Sequence, residues 1–165
     1  MLTSARRVAL GERLGGFIYG TILSLAVLVG AAKAYPDDPW KIVVLLSVTA
    51  VVFWLAHVYA HSLAHVLSEN RHLSLAELRR IARHESSVVE AAIPPVAAML
   101  LAAFGLISTR AAGWIAYALG LGVLTVSGLV FARVERLGWA ATLVVVALNV
   151  ALGVALVGLK LFVSH

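Results

Sequence analysis

The stretch Ile42–Ser68 reads IVVLLSVTAVVFWLAHVYAHSLAHVLS and contains no Asp, Glu, Lys or Arg. A helix needs about 20 mostly apolar residues to cross a bilayer, so this stretch decides the fold class. Only helices and closed barrels satisfy their backbone groups in lipid, and nothing here alternates as a barrel strand does. The second half of the stretch carries His57, His61 and His65 at a spacing of four, which stacks them on one helical column.

Composition agrees. Hydrophobic residues make up 62% of the chain and charged residues 13%, against about half and about a quarter in a soluble domain. The 165 residues suit one unit, 1–165, with no second domain. Cysteine is absent, which excludes disulfides, thiolate metal sites and cysteine nucleophiles. The net charge of +5 comes from basic residues at segment ends. That pattern points to topology signals and anionic lipid, with no nucleic acid partner. The first apolar stretch is too long for a signal h-region and no A-x-A-like site follows it before Pro36, so no cleavable leader is expected.

Outward from Ile42–Ser68 lie four more apolar stretches: Leu14–Ala32, Ala91–Thr109, Ala111–Ala132 and Leu137–Leu159. The expected fold is all-α, a polytopic membrane bundle of five transmembrane helices at about 14–34, 41–68, 88–109, 111–133 and 137–162. Tyr35-Pro36-Asp37-Asp38-Pro39-Trp40 reads as a tight turn with interfacial aromatics. Between spans two and three, Ser74-Leu75-Ala76-Glu77 reads as a capping box. It opens a short cytoplasmic amphipathic helix, about 74–84, expected to lie at the headgroups with Leu75, Leu78 and Ile81 opposite Arg79, Arg80 and Arg83.

Basic residues set the orientation. A cytoplasmic N-terminus puts Arg6, Arg7, Arg13, Arg71, Arg79, Arg80, Arg83, Arg133 and Arg136 inside and leaves Lys33, Lys41, Arg110 and Lys160 outside. Five spans then place the C-terminus outside. The expected location is a plasma membrane of prokaryotic type.

Polar groups at membrane depth are costly, so the histidine column is expected to face the bundle interior. Ala56, Ala60 and Ala64 run beside it, as small residues do at packed helix faces. Four residues on, Glu69 extends the ladder. Three readings stay open: ligation of a divalent transition metal, proton transfer between imidazoles, or purely structural hydrogen bonds. Haem, a sub-case of ligation, needs a second axial ligand from another helix. In Glu90-Ala91-Ala92-Ile93-Pro94-Pro95, a helix running through the prolines frees two carbonyls beside a carboxylate, a set of oxygen ligands. The alternative puts the prolines in a first helical turn. The favoured metal or ion mouth is His65, Glu69 and Glu90, with His57 and His61 further in. Asn149, Tyr59 and Tyr19 are pathway or packing polar residues. Gly16, Gly20 and Ser24 form a small-residue stripe for packing within the chain or across a homo-oligomer, a dimer for preference. No nucleophile motif or phosphate loop is present, so an enzyme is not expected.

The segment Glu12–Gly20, ERLGGFIYG, with Thr21–Gly30 after it, resembles the start of the vacuolar iron transporter family. The resemblance implies five spans, a cytoplasmic N-terminus, a cytoplasmic insertion after span two, and dimers. The family's first span carries an Asp-Gly pair on its metal path. Ile18-Tyr19-Gly20-Thr21 keeps a glycine there and has no acid, and the insertion is shorter than the family's acidic domain. No metal residue is carried over. The function expected is a small transporter or channel for a cation, a divalent metal or a proton. The alternative is a non-transport membrane protein whose histidines are structural or bind haem or a partner.

Overall fold

The computed structural model describes residues 4–69 and 73–163. Seven helices follow in order: α1 Ser4–Ala34, α2 Pro39–Glu69, α3 Leu75–His84, α4 Ser87–Glu90, α5 Ile93–Ala103, α6 Thr109–Val134 and α7 Trp139–Val163. There is no strand among the described residues.

The apolar runs that lack breakers become the long helices. α1 and α2 have 31 residues each and α6 has 26, or roughly 47, 47 and 39 Å at 1.5 Å per residue. All three are long and apolar enough to cross a membrane. Asp38 stops the turn after α1 and starts α2: its carboxylate accepts from the Lys41 amide at 3.1 Å. Pro39 then fills the first helical position, where no N–H is needed.

Of the five expected spans the structure matches three or four by length and composition. Three helices pass as spans, and a fourth does so only if the units Leu75–Glu90 and Ile93–Ala103, bent by 52° to one another, count as one. The expected third span, 88–109, is broken at both ends. Pro94 and Pro95 sit in the first turn of α5, where their missing amides break no ladder. A new helix therefore starts there, bent by 52° from the unit before it, and no unbroken helix runs through. At the other end Gly105 takes φ +75. Gly105 donates to the Ala102 carbonyl and Leu106 to the Leu101 carbonyl, a Schellman stop. With 11 residues, α5 measures only ~17 Å. Of α7, Trp139–Ala155 counts as a shorter apolar stretch.

The core lies between α1, α2, α5 and α6. Leu25, Leu28, Ile42, Leu46, Met99, Tyr117 and Leu124 are fully buried within it. Lipid tails are as apolar as leucine, so helices associate through close backbone approach. Gly120 of α6 admits the Leu25 side chain of α1, and Gly20 of α1 sits against the Val88 carbonyl and Ala91. Gly16 and Gly20 of the stripe thus pack against α4 and Ala91 inside the chain, and Ser24 is buried.

Candidate functional site

Depth fixes the meaning of the histidine column. Lys33 and Lys41 flank the turn between α1 and α2. Arg13 and His61 each lie twenty residues from those lysines, or ~30 Å along the helix axis, the thickness of a hydrocarbon layer. A layer of that thickness that begins at the lysines ends near His61. His57 lies about one turn inside that point and His65 about one turn outside.

The His57 ring is anchored. Its Nδ1 lies 2.9 Å from the Phe53 carbonyl, and a carbonyl only accepts, so Nδ1 carries the hydrogen. Its face lies against Tyr19 of α1, with ring centroids 5.3 Å apart.

Helix α3 folds back along α2 and brings acids to the column. The capping box starts it: Glu77 N–H donates to Ser74 Oγ, and the Ser74 amide donates to Glu77 Oε2 at 2.8 Å. Its last turn is tied to α2 by Trp54 Nε1, which donates to the Ala82 carbonyl at 2.9 Å. His61 Nδ1 then stands 2.7 Å from Oε1 of the buried Glu85. His84 Nδ1 is 3.4 Å from the same oxygen. The other nitrogen of His84, Nε2, is 3.1 Å from Glu12 Oε2 on α1. The result is an unbroken run, Glu12–His84–Glu85–His61, crossing three helices. These four side chains, with His57, Tyr19 and Arg80, line a cavity of about 680 Å3.

The expected mouth of His65, Glu69 and Glu90 is partnered differently. His65 Nε2 lies 3.9 Å from Glu77. Glu90 is held by Arg13 at 2.9 Å and accepts from Ser86 Oγ at 2.8 Å. The Glu69 side chain lies outside the described residues. Among the described residues no group of three or more His, Asp or Glu is placed to hold a metal ion. The expected packed alanine face is open: Ala56, Ala60 and Ala64 are exposed, because α1 and α3 cover only the histidine side. Tyr59 is exposed as well, whereas Tyr19 is a cavity wall. Asn149 of α7 packs its amide nitrogen at Gly128 of α6, away from the cavity residues.

Spacing along α2 did not reveal Glu12, His84 and Glu85. A signal was present in the count from the lysines, which puts Glu12-Arg13 at the height of His61. Comparison with protein-family models, with curated proteins and with solved structures finds no match.

Proposed function

We propose that this protein is a small integral membrane transporter or channel for a cation, and that the cation is a proton. One observation carries the reading: carboxylate and imidazole alternate along Glu12, His84, Glu85 and His61 at a membrane boundary. Each contact joins a group that can give a proton to one that can take it. One turn inward, the hydrogen on His57 Nδ1 leaves Nε2 as the acceptor of the neutral ring. The run thus leads from the boundary toward the apolar layer.

In this reading the chain crosses five times. The bent α3–α5 unit serves as the third span, and α7, with 25 residues and a length of ~38 Å, as the fifth. The N-terminus is cytoplasmic and the C-terminus external, in a plasma membrane of prokaryotic type. A two-fold dimer forms through α7, whose Leu143, Val144, Leu148 and Leu152 are exposed.

The test is proton flux in liposomes under an imposed potassium diffusion potential, read with an enclosed pH dye. Wild type lets the potential drive protons and shifts the enclosed pH; His61→Gln and Glu85→Gln slow that shift by about a hundredfold, the lower end of the range for a lost proton-transfer group. Folded wild-type protein without flux refutes the proposal. It then supports the second reading, a non-transport membrane protein with structural or partner-binding histidines. The bond from His57 to Phe53 and its seat on Tyr19 favour that reading. There, histidine replacements lower thermal stability and change nothing else.

A further inference from the structure

The two halves of the segment after α2 are held very differently. Val88, Ala91 and Ser87 are buried against the glycines of α1, so α4 is anchored by backbone-close packing. By contrast, α3 contributes none of its residues to the buried set. Leu75 is 75% exposed, and Arg79, Arg80 and Arg83 are exposed too. The contacts that tie α3 to the bundle are polar: Trp54 to the Ala82 carbonyl, His61 to Glu85 at its C-cap, His65 beside Glu77, and His84 beside Glu12. Arg80, Ile81 and His84 of this weakly held helix form one wall of the cavity.

His84 is the contact from that wall to α1, and its ring has a particular constraint. Both nitrogens face carboxylates, Nδ1 at Glu85 and Nε2 at Glu12. A neutral imidazole has one N–H and the imidazolium has two. Only the protonated ring carries a hydrogen on both nitrogens, and it adds a positive charge between the two carboxylates. On losing its proton, His84 turns a lone pair toward one of two carboxylates, which is repulsive. Glu85 can still accept from His61, so the contact that gives way is the one to Glu12 on α1.

We infer that α3 is a movable wall of the cavity, held against α1 by protonated His84 and released from it when that proton is lost. The charged and titratable groups around His84 are compatible. On α1 they are Glu12 and Arg13, the latter engaged by Glu90. On α2 they are His57, His61 and His65. On α3 and the turn after it they are Glu77, Arg80, Arg83, Glu85 and Glu90. His61 bonds the same Glu85 oxygen from α2 and makes no contact to α1 that the movement would break. The role as a gate to proton entry rests on the transport reading above, but the movement itself does not.

The chain has no cysteine, so spin labels can be placed without background. Gly11→Cys on α1, where an added Cβ meets nothing within 4 Å, and Arg79→Cys on α3 report the distance across the cavity. In detergent or nanodiscs, wild-type background is expected to show one short distance at about pH 5.5. A longer component grows to the major share at about pH 8.5, on the two sides of the imidazole range. In His84→Gln, which keeps one donor and never titrates, the longer component dominates at both pH values. In His61→Gln the pH response persists. An unchanged distance distribution in wild type, or a pH response undiminished in His84→Gln, overturns the inference. Because no flux is measured, inactive transport leaves this result intact, and a fixed wall leaves the transport reading to its own test.

Discussion

Nη2 of Arg13 reaches both carboxylate oxygens of Glu90, at 2.9 and 3.2 Å, and so joins α1 to α4 beside the cavity. One guanidinium nitrogen spans both oxygens, and the side chains are 60% and 36% exposed, so water screens much of the attraction. A double-mutant cycle with Arg13→Ala and Glu90→Ala, followed by unfolding in detergent, is expected to give a coupling of about 0.5–1 kcal/mol. A coupling above about 2 kcal/mol shows a desolvated pair and contradicts this geometry.

Gly20 carries more of the α1–α4 contact than the ion pair does. A Cβ there meets the Val88 carbonyl at 2.7 Å and Ala91 Cβ at 2.9 Å, and neither belongs to a flexible side-chain end. Gly20→Ala is expected to lower stability by about 1–3 kcal/mol through overpacking. Gly30→Ala on the same helix, where nothing lies within 4 Å, is expected to raise it by about 0.5–1 kcal/mol by removing backbone freedom. Thermal melts of the two variants should move in opposite directions; a shared sign defeats the packing argument.

What the sequence made legible follows from where its information is local. α1, α2 and α6 each sit in an apolar run without proline, and length alone identifies them. α3 follows from the Ser74/Glu77 box, whose hydrogen bonds span three residues. The break at the C-terminal end of the expected third span was not legible, because apolarity continues through Gly105 while helical geometry does not; the prolines allowed a break at Pro94 and Pro95 without deciding it. For the site, periodicity gave the column but not its partners. Glu12, His84 and Glu85 reach it through packing of α1 and α3 against α2, and no spacing along α2 encodes that packing. Gly16 and Gly20 looked equally suited to an internal or an external neighbour. Only the fold of α4 onto them decides that they pack inside the chain.

The α6 to α7 turn contains a correctable strain. Arg136 takes φ 52, the left-handed region that costs a side chain roughly 1–2 kcal/mol. It occupies the position after the helix cap where glycine is favoured: Arg136 donates to the Arg133 carbonyl and Leu137 to the Ala132 carbonyl at 2.9 Å. Arg136→Gly is expected to stabilise the fold by about 1 kcal/mol, and Arg136→Ala to give little or nothing, since alanine keeps a Cβ. Equal melts for the two variants refute the backbone explanation.

Asp38 makes the structure of the turn between α1 and α2 depend on pH. Its carboxyl is held below the usual carboxylate range, first by the Lys41 backbone amide and next by the Lys41 ammonium, 3.1 Å from Oδ2. A depressed acid binds its proton more weakly in the folded chain than in the unfolded one. Its contribution is therefore complete above the unfolded value and is lost as pH falls through the folded value. The Lys41 ammonium is also held over the Tyr35 ring, 5.1 Å from its centroid, so loss of the carboxylate leaves the turn partly tethered. Asp38→Ala is expected to lower the melting temperature at neutral pH. The gap to wild type should narrow steadily in acid, where protonated Asp38 caps α2 poorly. Asp38→Asn, which keeps an accepting oxygen for the Lys41 amide, should recover much of the neutral-pH loss and show a flatter acid limb. A gap between wild type and Asp38→Ala that stays constant down to strongly acid pH shows that the carboxylate charge contributes nothing to this turn.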